Sequence, residues 1–130
     1  MGENRIKLVA ADMDGTLLNR ERKITKYTQN VIKKAMAQGV YFVPATGRAV
    51  NALPPELKEM EGIRYGIFSN GATIYDLKEE KVIYKNHFEM DRVLELMDFL
   101  KQFDLMESIS LNGQSYACLL YTSPSPRDCS

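Results

Sequence analysis

Two carboxylates stand one residue apart, Asp12 and Asp14 in "AADMDGTLL", directly after the apolar run Ile6, Leu8, Val9, Ala10 and Ala11. Like charges at such short range raise at least one pKa and disfavour double ionisation. A bound hard cation removes most of that cost. Mg²⁺ prefers carboxylate and carbonyl oxygen, keeps waters and shares substrate phosphate, and no His or Cys stands nearby to favour Zn²⁺. The plainer alternative is a pair of loop acids, one of them capping a turn with Gly15.

Which alternative holds depends on the elements that carry the pair. Residues 5–11 read as a short buried strand, and acids at the carboxyl end of a parallel strand open into the crevice where α/β sheets bind ligands. "KITKYTQNVIKKAMAQG" then predicts a helix with Val31, Ile32, Ala35 and Met36 on one face, Thr25 as N-cap and Gly39 as its stop. "VYFVPATGR" reads as a second buried strand, Val40 to Val43, ending at Pro44. "AVNALPPELKEMEG" reads as helical but broken or restarted at Pro54 and Pro55. Strand, helix, strand, helix implies a parallel sheet. "YGIFSNGATIYD" adds a third strand, Tyr65 to Phe68, a turn at "SNGA" and a fourth strand, Thr73 to Tyr75, with "KVIYK" positioned to form a hairpin against it.

A second, α+β unit begins near residue 87. From Asp91, the residues Val93, Leu94, Leu96, Met97, Leu100 and Phe103 outline an amphipathic helix, and "MESISLNGQSYA" follows as a hairpin turning at Asn112 and Gly113. "CLLYTSPSPRDCS" abandons periodicity and resembles translated read-through of a sequencing adapter, so residues 118–130 are expected to be a non-native tail. Lone His87 lacks a second ligand and reads as a surface or hinge residue. Tyr65, Tyr75, Tyr84, Met97 and Met106 read as core or half-buried packing.

Composition excludes several classes. Lys+Arg and Asp+Glu each count 17, leaving no net charge to draw nucleic acid or an anionic membrane. No stretch approaches the roughly 20 apolar residues of a membrane-spanning helix, and the opening residues carry no signal-peptide pattern. Both cysteines, Cys118 and Cys129, fall in the final segment, so the body uses neither a disulfide framework nor a cysteine metal site. A cytoplasmic protein is expected.

"DMDGTLL" after the first strand, "TGR" after the second and "SNGA" after the third together resemble the haloacid dehalogenase superfamily of phosphohydrolases, and within it the Cof-like, type-IIB-capped sugar phosphatases. The resemblance covers residues 5 to about 117. It implies an α/β fold with a Rossmann-like parallel sheet, residues 1–86 forming the N-terminal part of the core and 87–117 the beginning of an inserted α+β cap. It implies that Asp12 is the nucleophile that forms an aspartyl phosphate and that Mg²⁺ is the cofactor, held by Asp12 and by the backbone carbonyl of Asp14. Asp14 becomes the general acid/base, a duty that needs a raised pKa, which the nearness of Asp12 favours. Gly15 allows the tight turn out of the strand, and Thr16 bonds backbone to hold Asp14. Thr46 and the Gly47 amide hold a phosphate oxygen, with a helix N-cap as the alternative or additional role of Thr46. Arg48 has three open readings, a phosphate clamp, a salt bridge or a first-turn surface residue, and Asn70 and Gly71 resemble the family's turn at the rim of the site.

Two pieces of the family pattern have no counterpart: a lysine that balances phosphate charge, and a distal "GDxxND"-like acidic motif, since no Gly-Asp dipeptide occurs. The chain is therefore expected to be an N-terminal fragment ending inside the cap, inactive alone, with an open sheet edge and uncovered apolar helix faces. In full-length form the expected function is Mg²⁺-dependent hydrolysis of small phosphorylated metabolites such as sugar phosphates. A non-catalytic phosphoacceptor module is the alternative from another class, although receiver domains need an acceptor Asp on the third strand, where Ser69 and Asn70 stand. A phosphomutase or phosphonatase would use the same Asp12 with a different acceptor.

Overall fold

A computed structural model of the chain describes residues 5–111 and 114–119. The first apolar run forms β1 (Leu8–Asp12), and the amphipathic segment after it forms α1 (Lys26–Ala37). Thr25 caps α1 as its type predicts, its hydroxyl accepting from the Thr28 N–H at 3.2 Å and so satisfying one of the orphan donors of the first turn. Ile32 is the buried residue of the helix, with Ala35 and Met36 half-buried. Val31, expected on the same face, is 48% exposed. The chain turns through Gly39 into β2 (Tyr41–Ala45).

β2 does not stop at Pro44 as the sequence predicts but runs one residue further, to Ala45. Proline has no N–H to give a ladder, and β2 meets β3 (Tyr65–Phe68) at a single registered pair, Ala45↔Ile67. Between these strands the expected broken helix shrinks to a 3₁₀ turn, Val50–Ala52, and the single turn α2 (Pro55–Lys58). Pro54 and Pro55 set the fixed φ of a helix start and prevent its continuation from upstream. What this segment contributes is burial, through Leu53, Leu57, Met60 and Ile63.

β4 (Thr73–Asp76) and β5 (Lys81–Lys85) complete a five-stranded sheet in the order β1-β2-β3-β4-β5. β1, β2 and β3 are parallel, and β3, β4 and β5 pair antiparallel, giving the expected hairpin. Asp12 is level with Ala45, and Ala45 with Ile67, so the carboxyl ends of the three parallel strands lie in line. The core gathers Met13, Leu18, Ile24, Ile32, Phe42, Leu53, Leu57, Met60, Ile63 and Phe68 between the sheet, α1 and residues 49–63.

β1 was expected to be buried and is not: Leu8 is 54% and Val9 38% exposed. Among the described residues β1 has only β2 beside it, so its outer flank is an open edge. The second unit comprises α3 (Met90–Leu100) and the antiparallel pair β6 (Met106–Leu111) and β7 (Gln114–Leu119). α3 is amphipathic, yet none of its residues is buried, and Leu94, Leu96 and Phe99 are each at least half exposed. Tyr84 and Met106, expected to pack, are likewise exposed, at 51% and 75%. β7 extends two residues past the boundary drawn at 117. The Asn112–Gly113 turn and residues 120–130 lie outside the described residues. No helix among the described residues is long and apolar enough to cross a membrane.

Candidate active site

The level strand ends decide what meets. β1 closes on Asp12, and the chain leaves it through a turn over Met13–Leu17, tied by the Leu18 N–H to the Met13 carbonyl at 2.9 Å. Met13 is fully buried and anchors the turn in the core, while Asp12 and Asp14 are exposed on either side of it. Gly15 sits at φ +75°, a conformation that opposes any side chain with a Cβ, and this allows the reversal straight after Asp14. Thr16 does not hold Asp14. Its hydroxyl donates to Asp12 Oδ2 at 3.3 Å and so steadies one oxygen of Asp12.

Arg48 is the hub of the second strand end. Its Nε donates to Asp14 Oδ2 at 2.9 Å and Nη2 to Asp14 Oδ1 at 2.5 Å, a two-pronged pair that bridges the loops after β1 and β2. Nη1 donates to the Ala52 carbonyl at 3.3 Å. Of the three readings open to Arg48 from the sequence, the salt bridge is the one formed here. The consequence for Asp14 runs against expectation: the Arg48 hydrogen bonds hold its carboxyl below the usual carboxylate range and outweigh the opposing effect of desolvation. Asp14 stands as an ionised carboxylate, not an acid with a raised pKa, and the same pairing pushes the Arg48 guanidinium upward.

Thr46 is buried, and its N–H donates to the Ile67 carbonyl at 2.9 Å, prolonging the contact with β3. Its hydroxyl accepts from the Arg48 N–H at 3.1 Å. No helix starts here, so the hydroxyl closes a local turn rather than capping a helix. Gly47 is exposed, and Asn70 leaves no room for a side chain on it: a Cβ there would lie 2.7 Å from Asn70 Oδ1. Asn70 belongs to the turn Ser69–Gly71 after β3, which is fastened to the loop after β2 by two main-chain bonds. The Ser69 N–H donates to the Arg48 carbonyl at 3.0 Å and the Asn70 N–H to the Thr46 carbonyl at 3.2 Å.

Asp12, Asp14, Thr46, Gly47, Arg48 and Asn70 thus assemble at one end of the sheet from three separate loops. Ser69 joins them without having been singled out: its hydroxyl is buried with no hydrogen-bond partner among the described residues. Its only sequence signal is its place between a strand and Asn-Gly. His87 is exposed, between β5 and α3, away from these loops in the chain.

Carboxylate and main-chain oxygens are hard donors that suit Mg²⁺ rather than Zn²⁺. Asp12 keeps one oxygen free of Thr16, while Asp14's carboxylate is taken by Arg48 and leaves its carbonyl as the donor at that position. Among the described residues no three metal-ligating side chains cluster. The set fits a cation that fills its other positions with water and phosphate, as Mg²⁺ does.

A partly parallel sheet with acids, a buried hydroxyl and a glycine loop at its strand ends defines an α/β protein with a ligand crevice at the carboxyl ends of its strands. The chain belongs to the haloacid dehalogenase-like hydrolases, whose family model matches residues 9–124. It is 39% identical over 113 residues to a protein of Buchnera aphidicola subsp. Schizaphis graminum provisionally named a phosphatase, covering 85% of this chain and 40% of that protein. It is 37% identical over 89 residues to the 5-amino-6-(5-phospho-D-ribitylamino)uracil phosphatase YcsE of Bacillus subtilis, covering 65% and 36%. Among solved structures it resembles the HAD subclass IIB sugar phosphatase BT4131, with a TM-score of 0.72, 29% identity, and coverage of 87% of this chain and 44% of that one. The chain thus spans about two fifths of the length of the relatives it matches.

Proposed function

We propose that the protein, at the length of its relatives, is a Mg²⁺-dependent phosphatase of small phosphorylated metabolites, of the sugar-phosphate kind, working in the cytoplasm through a phosphorylated Asp12. The observation that carries this reading is the position of Asp12: it ends β1 level with Ala45, one residue before the Thr46–Gly47 loop, with one carboxylate oxygen steadied by Thr16. A carboxylate oxygen of Asp12 attacks phosphorus, the bond from phosphorus to the substrate oxygen breaks, and the alcohol leaves with a proton. Water then attacks the aspartyl phosphate, releases phosphate and restores Asp12.

Asp14 serves the proton transfers. Released from Arg48 and protonated, it gives its proton to the leaving alcohol, and the carboxylate so formed then takes a proton from the hydrolytic water, which restores the acid for the next turnover. Thr46, Gly47 and Arg48 bind the phosphate oxygens. Mg²⁺ at Asp12 and the Asp14 carbonyl would supply positive charge between nucleophile and phosphate. Support comes from the family match and from relatives that bear phosphatase names. α3, β6 and β7 are read as the beginning of a cap.

The test is phosphate release from a panel of sugar phosphates by the gene product extended to the length of its relatives. Turnover is expected to need Mg²⁺ and to fall by at least about a thousandfold in Asp12→Asn, the scale on which loss of a covalent nucleophile acts. Residues 1–130 alone are expected to be inactive. Full activity in Asp12→Asn would overturn the reading, and an isomerised product in place of free phosphate would make it a mutase.

A further inference from the structure

The Asn70–Gly71 dipeptide is open to a reaction that needs only water. The main-chain nitrogen of Gly71 attacks Asn70 Cγ, the side-chain nitrogen leaves as ammonia, and a cyclic succinimide closes. Water then opens the ring at either carbonyl and leaves aspartate or isoaspartate. Glycine favours the attack because no Cβ crowds its nitrogen. Asn70 is exposed, and its carboxamide makes no hydrogen bond among the described residues that would hold Cγ back.

The main chain is what stands in the way. Asn70 sits at φ +56° and ψ +35°, and for an L-residue at that ψ the next nitrogen lies nearly opposite Cβ across the Cα–C bond. Cγ hangs from Cβ, so no side-chain rotamer brings it to the Gly71 nitrogen. Ring closure requires a large rotation about the Cα–C bond, and the chain is fastened on both sides of it. Upstream, the Ser69 N–H donates to the Arg48 carbonyl at 3.0 Å and the Asn70 N–H to the Thr46 carbonyl at 3.2 Å. Downstream, Thr73 is in register with Phe68 and Lys85. Across it, the Ala72 N–H donates to the Ser69 carbonyl at 3.1 Å, a bond that the rotation must break. The closed turn is nonetheless strained, because Ser69 at φ +51° and Asn70 are both left-handed residues with side chains, and opening relieves that cost.

We propose that Asn70 is a deamidation site gated by this turn. Closed, the turn forbids succinimide formation; open, it exposes Asn70 to conversion, so the loop carries a covalent record of its own opening. Conversion to aspartate sets a further carboxylate against Gly47, at the sheet end that already holds Asp12 and Asp14. Conversion to isoaspartate adds a methylene to the main chain inside the turn. This chemistry is independent of whether Asp12 is a nucleophile.

Peptide mapping of the full chain, folded and in guanidinium chloride, follows aspartate and isoaspartate at residue 70 over time at neutral pH, separately from Asn112–Gly113, the other Asn-Gly of the sequence. Deamidation of Asn70 is expected to be slower in the folded chain by at least about tenfold, the scale of opening one or two main-chain hydrogen bonds. Amide exchange of Ala72, whose N–H closes the turn, is expected to show a protection factor that matches this retardation to within about threefold. Equal deamidation rates in the folded and unfolded chain would overturn the proposal, since the closed turn would then gate nothing. A retardation that departs from the Ala72 protection factor in either direction would overturn it too, because ring closure would then not proceed through opening of this turn.

Discussion

Two arginine–aspartate pairs sit at opposite ends of the β3–β4 ladder, and they are wired differently. At one end Asp76, 2% exposed, accepts from Arg64 Nε at 3.1 Å and from the main-chain N–H groups of Lys78 and Glu79 at 3.0 Å each. Arg64 also lies over the Tyr65 ring, 5.2 Å from its centroid. At the other end Asp14 is 53% exposed and depends on the side chain of Arg48 alone, 34 residues away in sequence. The buried carboxylate closes the turn after β4 with main-chain donors that cannot be withdrawn without opening that turn. The exposed pair can part, which frees the Arg48 guanidinium for another anion, while every backbone bond stays in place. Similar chemistry therefore serves structure at one end and leaves a site adaptable at the other.

Phe68 packs the ladder that joins the two ends. Its ring is fully buried, packs edge-to-face on Tyr75 at 6.5 Å, and lies close over Gly66. Phe68→Ala is expected to cost about 3–5 kcal/mol in urea unfolding, the largest effect of any single change considered. A loss below about 1 kcal/mol would mean that the ends are not joined through this core. Next in size, Asp76→Ala is expected to lower the thermal midpoint by several degrees, because it leaves the Lys78 and Glu79 amides without their acceptor. Asp14→Ala is expected to leave the midpoint unchanged. Equal destabilisation by both would erase the distinction between the two pairs.

The distinction was only half legible in the sequence. Three motifs at three strand ends placed Asp12, Thr46 and Asn70 together, because strand periodicity and loop chemistry are local signals that survive without neighbours. Thr25 and Gly39 marked α1 for the same reason. Partner choice is not local. The sequence left Arg48 a choice of ligands, and only the fold sets it against Asp14, which reverses the expected direction of the Asp14 pKa. Nor could the pattern of β1 or α3 report exposure: an apolar run predicts burial only if something lies across it, and among the described residues little does. Pro44 inside β2 shows the limit of a punctuation rule where the strand's pairing to one side is sparse.

Acid and salt separate the two pairs at the smallest scale. Asp76 is held below the ordinary carboxylate pKa first by the Glu79 amide and then by Arg64 and Lys78. A depressed folded-state pKa contributes stability that is fully present above the unfolded value of about 3.9 and is lost as pH falls through the folded one. Stability of the wild type is therefore expected to decline at the acid end of a pH series, and Asp76→Asn to flatten that decline. Salt acts on the other pair. At about 1 M the screening length falls to roughly 3 Å, which weakens exposed ion pairs and spares buried ones. Solvent exchange of the Arg48 Nε–H is expected to quicken with added NaCl more than that of the Arg64 Nε–H, whose acceptor Asp76 is buried. Equal response of both would show that Asp76 is not shielded by its backbone donors, and the adaptability assigned to the Asp14–Arg48 pair would then be a property of both.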